Sequence, residues 1–425
     1  MAEIGAVETR AGYFGETVAN IPTDESVGGI LFDLSGFDEP FMDYLQLEDN
    51  FGNKQVQLIN NLDEADALGI KDDGFLGGLV WYHISMFYDY VGGDKPLYIA
   101  FADCSENWDF IPTMQRETNG RMFQLGVWTN QRLFEENDST GGIGFSQLVF
   151  DLETAAEEVT GKVGQPSDSP IPLSIIVSAN THTDVNNFAL RNLPDGTIFN
   201  APKVSVLLCQ DGNDEVHTMQ SVMPGETPVG SLGFTMAILS LAGAEENIGS
   251  VEKYNLNKND MFQFPEIAVN DEHYLLEDVN KITQGILTSY GYIVPTSYPA
   301  KEGECYFGSD PTLSSGDYSI ISNNRIMHKC RRAVFSVLLP YLHSNHPYSS
   351  ANKRLDIASQ TMFEEEIGAA LTGKLINNGG KYQIDGYRIT DFETKNILND
   401  DAVSIKYTIK PVNYNSNLTE TVMAI

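Results

Sequence analysis

The chain has 425 residues with 26 Lys+Arg against 59 Asp+Glu, a formal net charge of −33, and 42% of it is hydrophobic. That is a globular composition with core material for about two to three domains, and so acidic a surface repels nucleic acid and anionic membrane, which excludes both as partners. Cys104, Cys209, Cys305 and Cys330 are too widely spaced for a disulfide framework or a zinc site and read as reduced thiols, while no apolar run reaches membrane-spanning length and the opening Met1–Gly5 has no secretory pattern.

Residues 1–26 lack large apolar side chains and helical spacing, and predict an extended arm. Gly29-Ile30-Leu31-Phe32-Asp33-Leu34 and Gln55-Val56-Gln57-Leu58-Ile59 predict strands. Asp63 and Glu64 place acids at a helix start over 63–68, where the dipole favours them. An apolar and aromatic helix follows over 77–90, stops at Gly92-Gly93, and leads into a strand at Leu97-Tyr98-Ile99-Ala100-Phe101. Gln147–Phe150, Leu173–Val177 and Val204–Leu208 read as further strands. Ser231–Ala242 reads as a tightly packed helix rich in small residues, and 251–276 as irregular. Strands alternating with helices give a fold class of α+β with an α/β-like body.

The C-terminal region is the most legible. Residues 318–425 carry 12 Lys+Arg and 10 Asp+Glu, close to neutral, whereas 1–317 carry 14 and 49. A charge boundary near 317 suggests two regions with different surroundings. Ile326, Cys330, Val334, Val337, Leu338 and Tyr341 recur at helical spacing over 324–342, and Arg325, Lys329 and Arg332 share one face as a basic stripe. A second helix spans about 356–371, with Glu364-Glu365-Glu366 on it and Gly373 as its C-cap. A short strand is expected at 387–389. Over 402–412, Val403, Ile405, Tyr407 and Ile409 alternate with Ser404, Lys406, Thr408 and Lys410, the pattern of a half-buried strand that Pro411 ends. Residues 420–425 form a last β-prone segment.

Catalytic signatures do not emerge. There is no phosphate loop of the G-x-x-x-x-G-K-[ST] type and no G-x-S-x-G elbow. The glycine-rich Thr140–Phe145 lacks the lysine of a phosphate loop and reads as a turn. Asp211-Gly212-Asn213-Asp214-Glu215 begins like a calcium loop, but Val216 stands where the loop needs glycine and Val222 where it needs glutamate. His343 and His346 form an H-x-x-H pair with no third ligand at metal spacing, and read as a solvated loop. No catalytic residue, cofactor or metal is expected.

Three stretches together resemble the contractile tail sheath proteins of bacteriophages and contractile injection systems. They are the aromatic helix, Gly-Gly turn and strand of Leu79–Ala102; the small-residue helix of Gly230–Ala242 with Glu246–Val251; and Asn323-Asn324-Arg325 through Arg332 to Leu338-Leu339-Pro340. The resemblance covers about 27–102 and 230–425. Cys330 and His328 depart from the residues usual in that helix, and the N-terminal arm has no matching motif.

The resemblance implies a conserved inner domain built from N- and C-terminal segments, with a variable central outer domain. The expected order is an arm at 1–26, sheath body at 27–102 and 230–317, a central outer region at 103–229, and a polymerisation domain at 318–425. It implies no enzyme. The chain would be a structural subunit of a virion tail sheath or injection particle, assembled in the bacterial host cytoplasm. It would form a helical homopolymer around an inner tail tube protein and meet baseplate and tail terminator proteins. Thr421, Val422, Met423, Ala424 and Ile425 would be donated as a strand to a neighbour, part of 3–20 to another, and Val403, Ile405, Tyr407 and Ile409 would form the accepting strand. Arg325, Lys329 and Arg332 would face the inner tube or pair with Glu364–Glu366. Another tail or capsid structural protein, and an α/β enzyme without a recognisable motif, remain the alternatives.

Overall fold

The computed structural model describes residues 24–37, 56–71, 75–137, 142–161, 171–181, 200–268, 274–275, 287–341, 355–376, 382–393, 403–412 and 418–424. The expected arm at 1–26 and the His343/His346 pair lie almost wholly or wholly outside these residues. Two compact units emerge: a body of Glu25–Val159 with Leu173–Arg325, and a C-terminal unit of Ile326–Ile425 with Met1–Asp24 and Thr160–Pro172.

The body is an α/β structure. Its elements in chain order begin β1 (Gly28–Asp33), β2 (Val56–Ile59), α1 (Leu62–Ala67), α2 (Phe75–Val91), β3 (Leu97–Ala102), α3 (Phe110–Glu117) and β4 (Gln124–Arg132). The hairpin β5 (Phe134–Asn137) and β6 (Gly142–Phe145) precedes α4 (Gln147–Thr160), β7 (Ser174–Asn180), β8 (Val204–Leu207), β9 (Gln210–Asp211), α5 (Asp214–Val222) and α6 (Leu232–Leu241). Short strands β10 (Pro265–Ile267), β11 (Tyr274–Leu275), β12 (Tyr292–Ile293), β13 (Pro295–Thr296) and β14 (Tyr306–Phe307) complete it.

Seven strands form the central sheet in the order β12-β8-β7-β4-β1-β3-β2. All neighbours are parallel except the edge pair β2–β3. Helices covering both faces explain why β1 and β7 are buried at every position and read as continuous apolar runs without alternation. The central stretch 103–229 is not set apart from this sheet: it supplies β4, β7 and β8.

Local signals placed the helices well where they were long or capped. Asn61 caps α1 by accepting from the Glu64 amide, with Asp63 and Glu64 in the first turn. Gly92, at φ 72°, ends α2 where a side chain would be strained. One expectation fails: Gln147–Phe150 is the first turn of α4, not a strand. Leu148, Val149, Leu152, Ala155, Ala156 and Val159 are buried, a 3.6-residue stripe that four residues cannot reveal.

α2 and α6 cross closely. A Cβ on Gly233 would lie 2.1 Å from the His83 carbonyl oxygen, so only glycine permits the approach. The Gly233 amide then donates to His83 Nδ1 at 3.3 Å, satisfying an orphan N–H of the first turn of α6. Burial lowers the His83 pKa to about 3, which keeps that nitrogen an acceptor.

In the C-terminal unit the elements are α7 (Ile321–Leu338), whose first turn belongs to the body, α8 (Ile357–Leu371), β15 (Ile384–Glu393), β16 (Val403–Pro411) and β17 (Leu418–Ala424). Asp356 caps α8 through the Ser359 amide. Beyond α8 the chain makes a π-turn at Thr372–Ile376, so Gly373 lies inside a further turn rather than closing the helix.

Candidate assembly site

The C-terminal sheet is antiparallel in the order β15-β16-β17. The alternation of β16 is as expected: Ile405, Tyr407 and Ile409 are buried, Lys406 and Lys410 exposed. Period-two patterning needs no tertiary information, and it puts one face of the strand in the core. On that face Tyr387 of β15 approaches α8 over Gly368, where a Cβ would meet the tyrosine hydroxyl oxygen at 2.4 Å. On the exposed face Lys410 Nζ meets Asp385 at 2.8 Å, both about half exposed, so the pair contributes little to stability.

Within one chain the terminal segment forms β17. β17 pairs with β16 of its own chain, in the register Val403↔Ala424, Ile405↔Val422, Tyr407↔Glu420 and Ile409↔Leu418. The physical reason is that β16 would otherwise expose a row of unpaired amides and carbonyls, and the chain's own β-prone end is the nearest strand able to satisfy them. The strand begins at Leu418 rather than Thr421, and Ile425 lies outside the described residues.

The basic stripe also differs from expectation. Arg325, Lys329 and Arg332 share a face of α7, but they are at most 1% exposed, so they form no open cationic surface. Arg325 instead donates to the carbonyls of Leu239, Ala242, Gly243 and Glu25 at 2.8–3.1 Å, capping the C-terminus of α6. Burial lowers its pKa, opposed by the nearby Glu25 among other groups. Arg332 donates to the Pro172 carbonyl at 2.9 Å, and Arg331 to the Thr160 carbonyl. Burial, then the adjacent Arg331, lowers the Arg332 pKa. Carbonyl oxygens thus accept from Arg325, Arg331 and Arg332. Glu366 accepts from the Tyr341 hydroxyl. Helical spacing identifies a shared face but cannot say whether that face meets solvent or protein.

The body has the topology in which open α/β sheets bind ligands, with a switch point between β1 and β4. Residues gathered there hydrogen-bond one another. Asp33, fully buried at the end of β1, accepts from Ser35 N, Cys104 N, Ser35 Oγ, Thr129 Oγ1 and Gln131 Nε2 at 2.6–3.1 Å. Five donors saturate the carboxylate, which ties the ends of β1, β3 and β4 together and leaves it no capacity for a substrate. Sequence reasoning missed this cluster because its members are up to 98 positions apart.

The calcium-like Asp211–Glu215 segment is a helix start. Asn213 Oδ1 accepts from the Val216 amide, and Asp211 accepts from Phe264 N and Asn213 Nδ2. Among the described residues no group of three or more His, Cys, Asp or Glu side chains is placed to hold a metal ion. All four cysteines are buried free thiols, which burial pushes up, so none is a reactive thiolate.

No family model and no curated protein matches the chain. Solved structures do. A chain of the anti-feeding prophage (AFP) baseplate, determined by cryo-EM with six-fold symmetrisation, superposes with a TM-score of 0.50 at 10% identity, covering 92% of this chain and 90% of that one. A chain of the contracted-state sheath complex of an extracellular contractile injection system, PVC, gives a TM-score of 0.48 at 10% identity, covering 94% and 88%. The chain therefore shares its fold, over nearly its whole length, with a subunit of the AFP baseplate assembly.

Proposed function

We propose that the chain is a structural, non-enzymatic subunit of a contractile tail sheath, in a phage tail or a contractile injection particle. The observation that carries this reading is the fold likeness to an AFP baseplate chain over 92% of the sequence. The Asp33 cluster agrees with it, because this carboxylate at the strand ends is taken up by five internal donors. In this reading the chain is a helical homopolymer around an inner tube, seated on a baseplate, and contracts by repacking without nucleotide.

Assembly proceeds by strand exchange. β17 is an edge strand, and an identical strand from a neighbour would make the same pairs with β16. Such a swap conserves every backbone hydrogen bond, so it costs little and links subunits without new chemistry. The 3–20 arm would act likewise on another neighbour. Contact with the inner tube is not assigned to Arg325, Lys329 and Arg332, since their side chains are buried.

The test is deletion of 416–425. The truncated chain is expected to stay folded by circular dichroism yet fail to form tubes in negative-stain electron microscopy. Tubes of normal sheath diameter from the truncated chain would refute the exchange. Full-length chain forming closed shells or thin non-contractile fibres would favour another tail or capsid role.

A further inference from the structure

The middle of the chain lends a segment to the C-terminal unit. α4, except for its last residue, and β7 lie in the body, yet Thr160–Pro172 between them groups with Ile326–Ile425. The chain therefore leaves the body after Val159 and re-enters it at Leu173. Hydrophobic burial has little to act on in this segment. Residues 160–172 contain three prolines and two glycines, and their large apolar side chains are Val163 and Ile171.

Two adjacent arginines of α7 hold its ends. Arg331 Nη1 donates to the Thr160 carbonyl, and Arg332 Nη2 donates to the Pro172 carbonyl at 2.9 Å. Both arginines belong to the C-terminal unit and are buried, Arg332 completely. The Thr160 carbonyl is at the end of α4, so it is one of the acceptors that a helix leaves without an intrahelical donor. Pro172 stands two residues before β7 and has no N–H, so its carbonyl is the main-chain group by which it can be held. Burying two neighbouring like charges is costly, and charge-assisted bonds to these carbonyls offset part of that cost. One bond would fix a single point, whereas two at opposite ends fix where the segment starts and finishes.

We infer that Arg331 and Arg332 form a two-pronged clamp that makes Thr160–Pro172 a structural part of the C-terminal unit, so that the unit depends on the middle of the chain. Residues 318–425 are then not a self-contained domain. Calling this unit the polymerising one rests on the proposed function; the clamp itself does not.

Hydrogen exchange read by mass spectrometry on the full-length chain tests the clamp. Arg331→Met combined with Arg332→Met keeps the apolar stems and removes both guanidinium forks. Exchange in peptides from α8, β15 and β16 is expected to rise at least about tenfold on loss of the two charge-assisted bonds. Peptides from β1, β3 and β4 of the body should keep their protection. Trypsin should also cut faster after Lys162, inside the clamped segment. Arg331→Lys combined with Arg332→Lys, which retains a donor at each position, should restore part of the protection.

Faster exchange confined to 160–172 would overturn the inference, because the segment would then be attached to the unit without supporting it. Unchanged exchange, or an equal rise in the body and in the C-terminal unit, would overturn it as well. If the double methionine variant does not fold, each single substitution carries the same comparison. Tube formation is a separate readout: unsubstituted chain that forms no tubes refutes the sheath reading and leaves the exchange comparison intact.

Discussion

Replacing Arg325 tests the buried network most directly. Arg325→Met keeps the apolar stem and removes the guanidinium that holds four carbonyls, three of them at the end of α6. Four charge-assisted bonds at about 1.5 kcal/mol each amount to about 6 kcal/mol. Methionine avoids burying a charge, and removing a buried ion in favour of an apolar side chain relieves about 2–3 kcal/mol of desolvation. The net expectation is a loss of about 3–4 kcal/mol from the body, or roughly 6–12 °C in Tm at about 2–3 °C per kcal/mol. Arg325→Lys should recover about half, since an ammonium has three donors and no planar fork. Calorimetry, with urea unfolding followed by tryptophan fluorescence, measures both. A loss below about 1 kcal/mol for Arg325→Met would show that water satisfies the α6 carbonyls and that the cap has little weight.

Gly233→Ala should destabilise the body by about 2–3 kcal/mol or more, because its Cβ would fall 2.1 Å from backbone of α2; an unchanged urea midpoint would contradict the close crossing. Asp310 is fully buried, accepts from Ser322 N at 3.0 Å and from Asn247, and has its pKa raised by burial to about 6. The folded state then holds a proton more tightly than the unfolded chain, so this contribution is full below about pH 4 and is lost as pH rises through about 6. Stability of the native sequence should fall by about 3 kcal/mol across that window relative to Asp310→Asn, and parallel profiles would refute the assignment. Asp33→Ala should cost about 3–5 kcal/mol by stranding five donors at the ends of three strands, whereas Asp33→Asn should cost less; hydrogen exchange at Cys104 and Ser35 amides would report the loosening.

Local periodicity by itself determined much of this protein. The alternation of 403–411, the acid-led start of α1, the Gly92 stop of α2 and the face shared by Arg325, Lys329 and Arg332 follow from repeat lengths of two and 3.6 residues and from backbone sterics, which act within one element. The same locality limited the reading. Four residues at 147–150 fit strand or helix equally until the burial of Val159, three turns on, decided for α4.

What only the tertiary structure decided is who meets each face and edge. Arg325 of α7 points at carbonyls rather than at solvent, because burying a guanidinium depends on acceptors brought from 25 and 239–243. The Asp33 cluster exists because β1, β3 and β4 end side by side, an adjacency that strand order creates and no spacing encodes. The terminal segment was legible as a strand, but its place beside β16, with Glu420 opposite Tyr407, was not. A backbone edge accepts any strand that can satisfy its hydrogen bonds, so its partner is chosen by proximity and register, and both are properties of the folded chain.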